Sequence, residues 1–385
     1  MYKKLTIFIL LICVGFFIHY TDAQTWSSLF RLTWSSGNSF TPNASTDSGG
    51  NIHLVWVDQT PGNPEIYYKK KPGSGTTFLA PQRLTWTPVG SQAPCVATHS
   101  SLNLYVAWYE SSLSNSDIYF KRSSDSGSTW SPPQRLTWNS GASQNPVMVT
   151  ESSAIIHLFW EDYNPGNAEI FYKKSTDNGS TWGPPQRLTW NSGFSGNPAV
   201  AFAGISNIIH LVWEDDTPGL SEIYYKKSGT SGTNWSAPSR LTWNTGWSQT
   251  PTICVDSSEY IHITWEDDTP GNFEILYKKS TNSGSTWSAL SRLTWNPETS
   301  LVPDIAVDSF NNLFIVWEDY TPGNFEVFFK ESTDTGVTWS VPMRLTWNNG
   351  GSRNPDITEG FSSDIHVFWN DSSPGPFEIY YKNRK

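Results

Sequence analysis

Four adjacent pairs of acids follow a tryptophan in this chain, at Trp160-Glu161-Asp162, Trp213-Glu214-Asp215, Trp265-Glu266-Asp267 and Trp317-Glu318-Asp319. Two carboxyl groups held in different surroundings can divide acid and base roles. Ionised, the same groups pair with the adjacent hydroxyls of a sugar, and an aromatic plate beside them would cover its C–H face. The segments around them supply that mixture. Residues 265–274 read Trp-Glu-Asp-Asp-Thr-Pro-Gly-Asn-Phe-Glu and residues 243–251 read Trp-Asn-Thr-Gly-Trp-Ser-Gln-Thr-Pro. Ligand-binding candidates are therefore Trp247, Gln249, Phe194, Asp215, Asp216, Asp267, Asp268 and Arg353, which combine off-pattern side chains with the longest acidic clusters. The competing structural reading is that Asp58, Asp162, Asp215, Asp267, Asp319 and Asp371 fold the turns before Pro-Gly.

These residues sit in a repeat. Arg-Leu-Thr-Trp begins at Arg31, Arg83, Arg135, Arg187, Arg240, Arg292 and Arg344, in steps of 52, 52, 52, 53, 52 and 52 residues. Each unit alternates short β-branched and aromatic runs with Pro-Gly, Asp-Ser and Ser-Gly punctuation, and no helical period appears beyond the first residues. In the fifth unit the pattern predicts strand a at 251–255, b at 260–265, c at 274–278 and d at 286–295. Seven such units make an all-β, seven-bladed β-propeller of four-stranded antiparallel blades. The chain ends after a seventh strand c, and an unattached strand d at 25–34 precedes the first unit. The N-terminal strand is thus expected to complete the last blade and close the ring. Prolines at 81, 132, 133, 184, 185, 238 and 342 place strand d at the outer edge, because proline cannot donate to a ladder. Strand a then lines the channel.

All 21 tryptophans can be placed: seven end Arg-Leu-Thr-Trp, seven end strand b, six open strand d, and Trp247 stands apart. Phe78 takes the missing seventh opener. The openers are expected to wedge between blades, and their spacing of eight from the next Trp puts both rings on one face of strand d. An acid opens every strand c, so the repeated Arg should pair with it across the hairpin. Glu169 and Arg187 would lie directly opposite if the hairpin centres near Asn178. Five histidines, His53, His157, His210, His262 and His366, share one place in strand b with Tyr105 and Phe314. This exchange points to packing. No metal site, cofactor, phosphate loop or serine elbow is predicted.

Residues 1–23 have Lys3 and Lys4, an apolar run and Thr-Asp-Ala, the pattern of a secretory signal peptide. The expected domain is 24–385, secreted to an extracellular, periplasmic or cell-surface location, with no membrane insertion. It carries 23 basic and 34 acidic side chains, a net charge of −11, which argues against nucleic acid as a partner. Cys95 and Cys254 remain after cleavage and fall in blades two and five, too far apart to bridge.

The turns between strands c and d carry a resemblance. Ser-Thr-Asp-Asn-Gly-Ser-Thr-Trp at 175–182, Ser-Thr-Asp-Thr-Gly-Val-Thr-Trp at 332–339 and the stretch 123–130 resemble the Asp-box, or bacterial neuraminidase repeat, of sialidase-like propellers. Thr230 and Asn282 replace the acid in two units. In that family the turn is structural and faces away from the active site, so Asp125, Asp177 and Asp334 are not catalytic candidates. The resemblance also implies a six-bladed enzyme with three arginines on the substrate carboxylate, a Tyr–Glu pair and an Asp acid/base. Seven of the ten arginines here belong to the repeat. Only Arg353 falls in a loop of the functional face, which is too few for a clamp. The expected function is non-catalytic recognition of a glycan or glycoconjugate, with no catalytic residues assigned. A sialidase-like exo-glycoside hydrolase and a cell-surface protein scaffold are the alternatives.

Overall fold

The computed structural model describes residues 25–111, 115–151, 155–360 and 363–385. None of them is helical. They form seven four-stranded antiparallel sheets, each ordered a, b, c, d, arranged as a β-propeller. In blade V the strands are Ser248–Val255, Ile261–Asp267, Glu274–Ser280 and Ser291–Arg292. Every strand b carries a buried tryptophan near its end and runs on past it to the turn, and it is buried because it has a ladder on each side and a neighbouring blade on each face.

The ring closes as expected. Phe30–Arg31 pairs with Glu378–Arg384, with Phe30 opposite Tyr381 and Arg31 opposite Tyr380, and Trp26 bridges to Arg384. Leu32 is buried with Trp56, Phe368 and Tyr381, so the seam has an apolar core of its own. In the channel wall, Asp304 accepts the backbone N–H of Ile357 at 2.9 Å and Asp356 accepts that of Ala44 at 2.9 Å. These carboxyls stitch blade VI to VII and VII to I.

The six opening tryptophans and Phe78 do wedge between blades. Trp287 of blade V meets Tyr225 of blade IV edge-on at 5.2 Å, and Phe78 of blade I meets Tyr381 of blade VII at 5.3 Å. All seven repeated arginines bind the acid that opens strand c, at 2.5–2.9 Å. In each of the five strand-b histidines Nδ1 lies 2.7–2.8 Å from a tyrosine hydroxyl of strand c. The two cysteines are free.

Three local expectations are corrected. Strand a starts about three residues early, because the proline taken as its start follows a bulge. In all seven blades the residue before that proline has a positive φ of 44–51°, from Thr41 to Asn354, and the ladder slips there. Strand d pairs over only two residues, in blades with a proline ahead of the pair and in the two, V and VII, that have none. Its two tryptophans consequently do not share a face: the opener packs inward and the Arg-Leu-Thr-Trp ring stands in solvent. Finally, Arg187 lies opposite Phe171, which makes Glu169 a diagonal neighbour. The c–d turn is not symmetric about Asn178.

The turn itself is held by side-chain acceptors. Asp177 Oδ1 accepts from the Thr181 N–H at 2.8 Å, while Ser175 Oγ accepts from Gly179 N–H at 2.8 Å. Hydrogen bonds from the threonine hydroxyl and amide hold Asp125, Asp177 and Asp334 down at about 2. Asn282 and Thr230 place an acceptor at the same point, each bonding the N–H four residues on at 2.8 Å.

Candidate functional site

The b–c and d–a loops meet on one face, where the seven bulges form the mouth of the channel. Prolines 42, 94, 146, 198, 251 and 303 help to line a cavity of about 330 Å³ there. The positive φ of each bulge turns its backbone N–H toward the preceding blade, and in blades III to VI a glutamate waits for it. Asn197 N–H donates to Glu161 at 2.7 Å, Thr250 to Glu214 at 2.9 Å, Val302 to Glu266 at 2.7 Å and Asn354 to Glu318 at 2.9 Å. These four carboxyls are buried in an arc, and burial raises the pKa of each. Glu266 goes furthest, to about 7: desolvation is the main cause, and repulsion from Glu214 and Glu318 adds to it.

Val57, Tyr109 and Asn370 stand where blades I, II and VII would continue the arc. The arc is therefore interrupted over blades VII, I and II, and a pocket of about 500 Å³ opens at one end of the interruption, between blades VI, VII and I. Phe40, Leu301 and Arg353 occupy one repeat position, the residue after the invariant Ser of strand a, and all three line it with Glu266, Glu318 and Asn370. Arg353 Nη2 is 3.1 Å from Glu318 Oε1, and its guanidinium covers the Phe325 ring at 4.0 Å. Arg353 Nε and Asn370 Oδ1 have no hydrogen-bond partner. The pocket thus offers a cation, the buried acid it is paired with, a carboxyl that titrates near neutrality, unspent amide capacity and aromatic walls. That set can hold a polyol or an acidic sugar and can move a proton.

The residues singled out from sequence do not converge. Trp247 is 47% exposed, and its backbone N–H donates to Asp268 Oδ1 at 2.6 Å. Phe194 and Asp216 repeat that arrangement one blade earlier, also at 2.6 Å, with the Phe194 ring folded over Gly196. Gln249 lies opposite Glu266 across the a–b ladder, and Arg353 alone reaches the pocket. Asp215 and Asp267 require correction. Both are buried, with Oδ2 shared by an asparagine, a serine and the Trp indole, and Oδ1 by a backbone N–H. They are cornerstones of the b–c turn whose carboxylates are largely engaged within it, which agrees with the turn-building reading. Glu266, Glu318, Asn370 and Phe377 were missed as a set. The signal available was the loss of the repeated Glu at 57, 109 and 370.

No family model and no curated protein matches this chain. Solved structures match in fold. An ulvan lyase of polysaccharide lyase family PL25 superposes with a TM-score of 0.63 at 12% identity, covering 91% of this chain and 95% of its own. The α-L-arabinofuranosidase of Fusarium graminearum gives 0.58 at 16% identity, with 77% and 93% covered. A Hadza microbial sialidase gives 0.54 at 15%, with 86% and 73% covered. At these identities the likeness is one of fold.

Proposed function

We propose that this protein is an exported glycan-binding propeller that works by recognition, with its principal site at the pocket between blades VI, VII and I. The observation that carries this reading is the convergence of Arg353, Glu318, Glu266, Asn370 and Phe40 in one pocket where the repeated glutamate gives way. A scaffold needs no such departure, whereas a ligand that is not sevenfold symmetric does. Three fold neighbours are named for a polysaccharide lyase, an arabinofuranosidase and a sialidase, which supports a carbohydrate as the ligand class. The Asp-box resemblance of the c–d turns points the same way. Export rests on residues 1–23, which lie outside the described residues.

A glycan array probed with the parent and with Arg353→Ala tests the reading. Binding to a defined set of glycans, weakened at least tenfold in the variant at unchanged melting temperature, is the expected result. A blank array would move the protein-scaffold reading ahead. One observation favours a hydrolytic reading as well: Glu266 titrates near neutrality beside the Glu318–Arg353 pair, as a proton donor would. A fluorogenic glycoside panel that includes sialosides separates the two. Turnover by the parent that is lost in Glu266→Gln would establish an enzyme.

A further inference from the structure

The tryptophans that end the seven Arg-Leu-Thr-Trp segments are 65–71% exposed, although strand d could have carried any polar residue there. The ring has a structural task. Lys69, whose ammonium donates to the Leu32 carbonyl, lies 5.8 Å from the Trp34 ring, and Lys226 lies 5.4 Å from that of Trp190. The indole shields a buried cation. Arg31 lies 5.7 Å from the Trp34 ring as well, yet each indole keeps about two thirds of its surface in solvent.

Two of these rings flank cavities of the same construction, about 370 Å³ beside Trp34 and about 230 Å³ beside Trp190. The ten residues lining one are the repeat equivalents of the ten lining the other, from Leu32 and Leu188 to Pro81 and Pro238. In each, the exposed indole of one blade is accompanied by a tyrosine of the next, Tyr67 or Tyr224, with a buried Asp and Lys among the lining. The volumes lie at or below the small end of ligand pockets, roughly 300–1,000 Å³, so one small ring fits and an extended chain does not. Charges cancel locally. Arg31 is paired with Glu378 and Arg187 with Glu169, while Lys69 and Lys226 are each offset by an Asp of the same lining, Asp58 and Asp215. A groove with an aromatic plate, a phenol and no net charge suits a ring with an apolar C–H face and uncharged hydroxyls.

We propose that the inter-blade grooves beside Trp34 and Trp190 each bind one uncharged hexopyranose, as a terminal residue of a neutral glycan, at sites separate from the channel mouth. The proposal rests on the carbohydrate reading of the protein and adds to it a second class of site. The equivalent position beside Trp243 supplies an internal comparison, because Leu276 stands where the phenol would be.

Full-length exported protein carrying 5-fluorotryptophan tests this by ¹⁹F NMR, with Trp34→Phe and Trp190→Phe used to assign the two resonances. Methyl glycosides of glucose, galactose, mannose and fucose are the probes, and methyl glucuronoside is the charged control. At least one neutral glycoside should shift both resonances saturably, leave those of Trp243 and Trp247 in place, and act equally in the Arg353→Ala background. The Trp34→Ala/Trp190→Ala double variant should lose at least tenfold in affinity for that glycoside. Resonances that move for no neutral glycoside, or only for the glucuronoside, overturn the proposal. In that case array binding that still depends on Arg353 leaves the mouth site standing, while groove shifts with no Arg353-dependent array binding would retire the mouth site alone.

Discussion

At the scale of single residues, the same amino acid takes different roles according to what surrounds it. Trp287 fills the wedge against Tyr225, so Trp287→Ala should cost roughly 3–5 kcal/mol in denaturant unfolding, as a core cavity does. Trp247 is half in solvent, and Trp247→Ala should leave stability within about 0.5 kcal/mol. Equal losses in the two variants would contradict the packing assigned here. Glu266 makes a pH prediction. Folded, it keeps its proton up to about pH 7, whereas its ordinary value is 4.5. The folded state therefore binds the extra proton between those values, and the contribution is full below pH 4.5 and lost as pH rises through 7. His210, depressed to about 4, and His366, to about 3, act in the opposite sense: their contribution is full above pH 6.5 and lost as pH falls. The difference between Glu266→Gln and the parent isolates the glutamate. The variant's melting temperature should gain on the parent's from pH 5 to pH 8, and a constant gap would refute the raised pKa.

At the scale of the element, the bulge before each strand-a proline is the device that makes the mouth. It needs a residue in the left-handed region, where Asn is tolerated and a β-branched side chain is strained by about 1–3 kcal/mol. Asn145, Asn197 and Asn354 suit it, while Val302, at φ 49°, does not. Val302→Asn keeps the N–H that Glu266 accepts and should raise unfolding stability by about 1 kcal/mol. A fall in stability would mean that contacts of the valine side chain outweigh its backbone strain. The c–d turn shows the complementary rule, tight approach in place of strain. A Cβ on Gly232 would lie 1.9 Å from the Tyr172 hydroxyl, so the glycine there is required by its neighbour as well as by its φ of 77°.

At the scale of the molecule, closure turns seven marginal sheets into one ring without an open seam. Removing residues 24–34 deletes the strand that covers Glu378–Arg384 and exposes Tyr381 and Trp56. The truncated protein should melt lower and aggregate, measured by light scattering during a thermal ramp. An unchanged melting temperature would show that the seam adds nothing. A rigid ring with separate mouth and groove sites would also gain avidity on clustered glycans without any new contact.

Blade number, strand order, closure and the Arg–acid pairs were legible in the sequence because each is local or strictly periodic. Turn residues, edge prolines and a 52-residue step recur seven times, so each copy corroborates the others. Three things were not legible. The bulge was hidden because proline looks like a strand start when the positive φ before it is unseen. The exposure of the Arg-Leu-Thr-Trp rings depended on strand d leaving its ladder after two residues. The pocket brings together Phe40, Glu266, Glu318, Arg353 and Phe377, whose positions span nearly the whole chain. No local pattern can specify such a set, because only the curvature and closure of the ring carry the first blade back against the sixth and seventh.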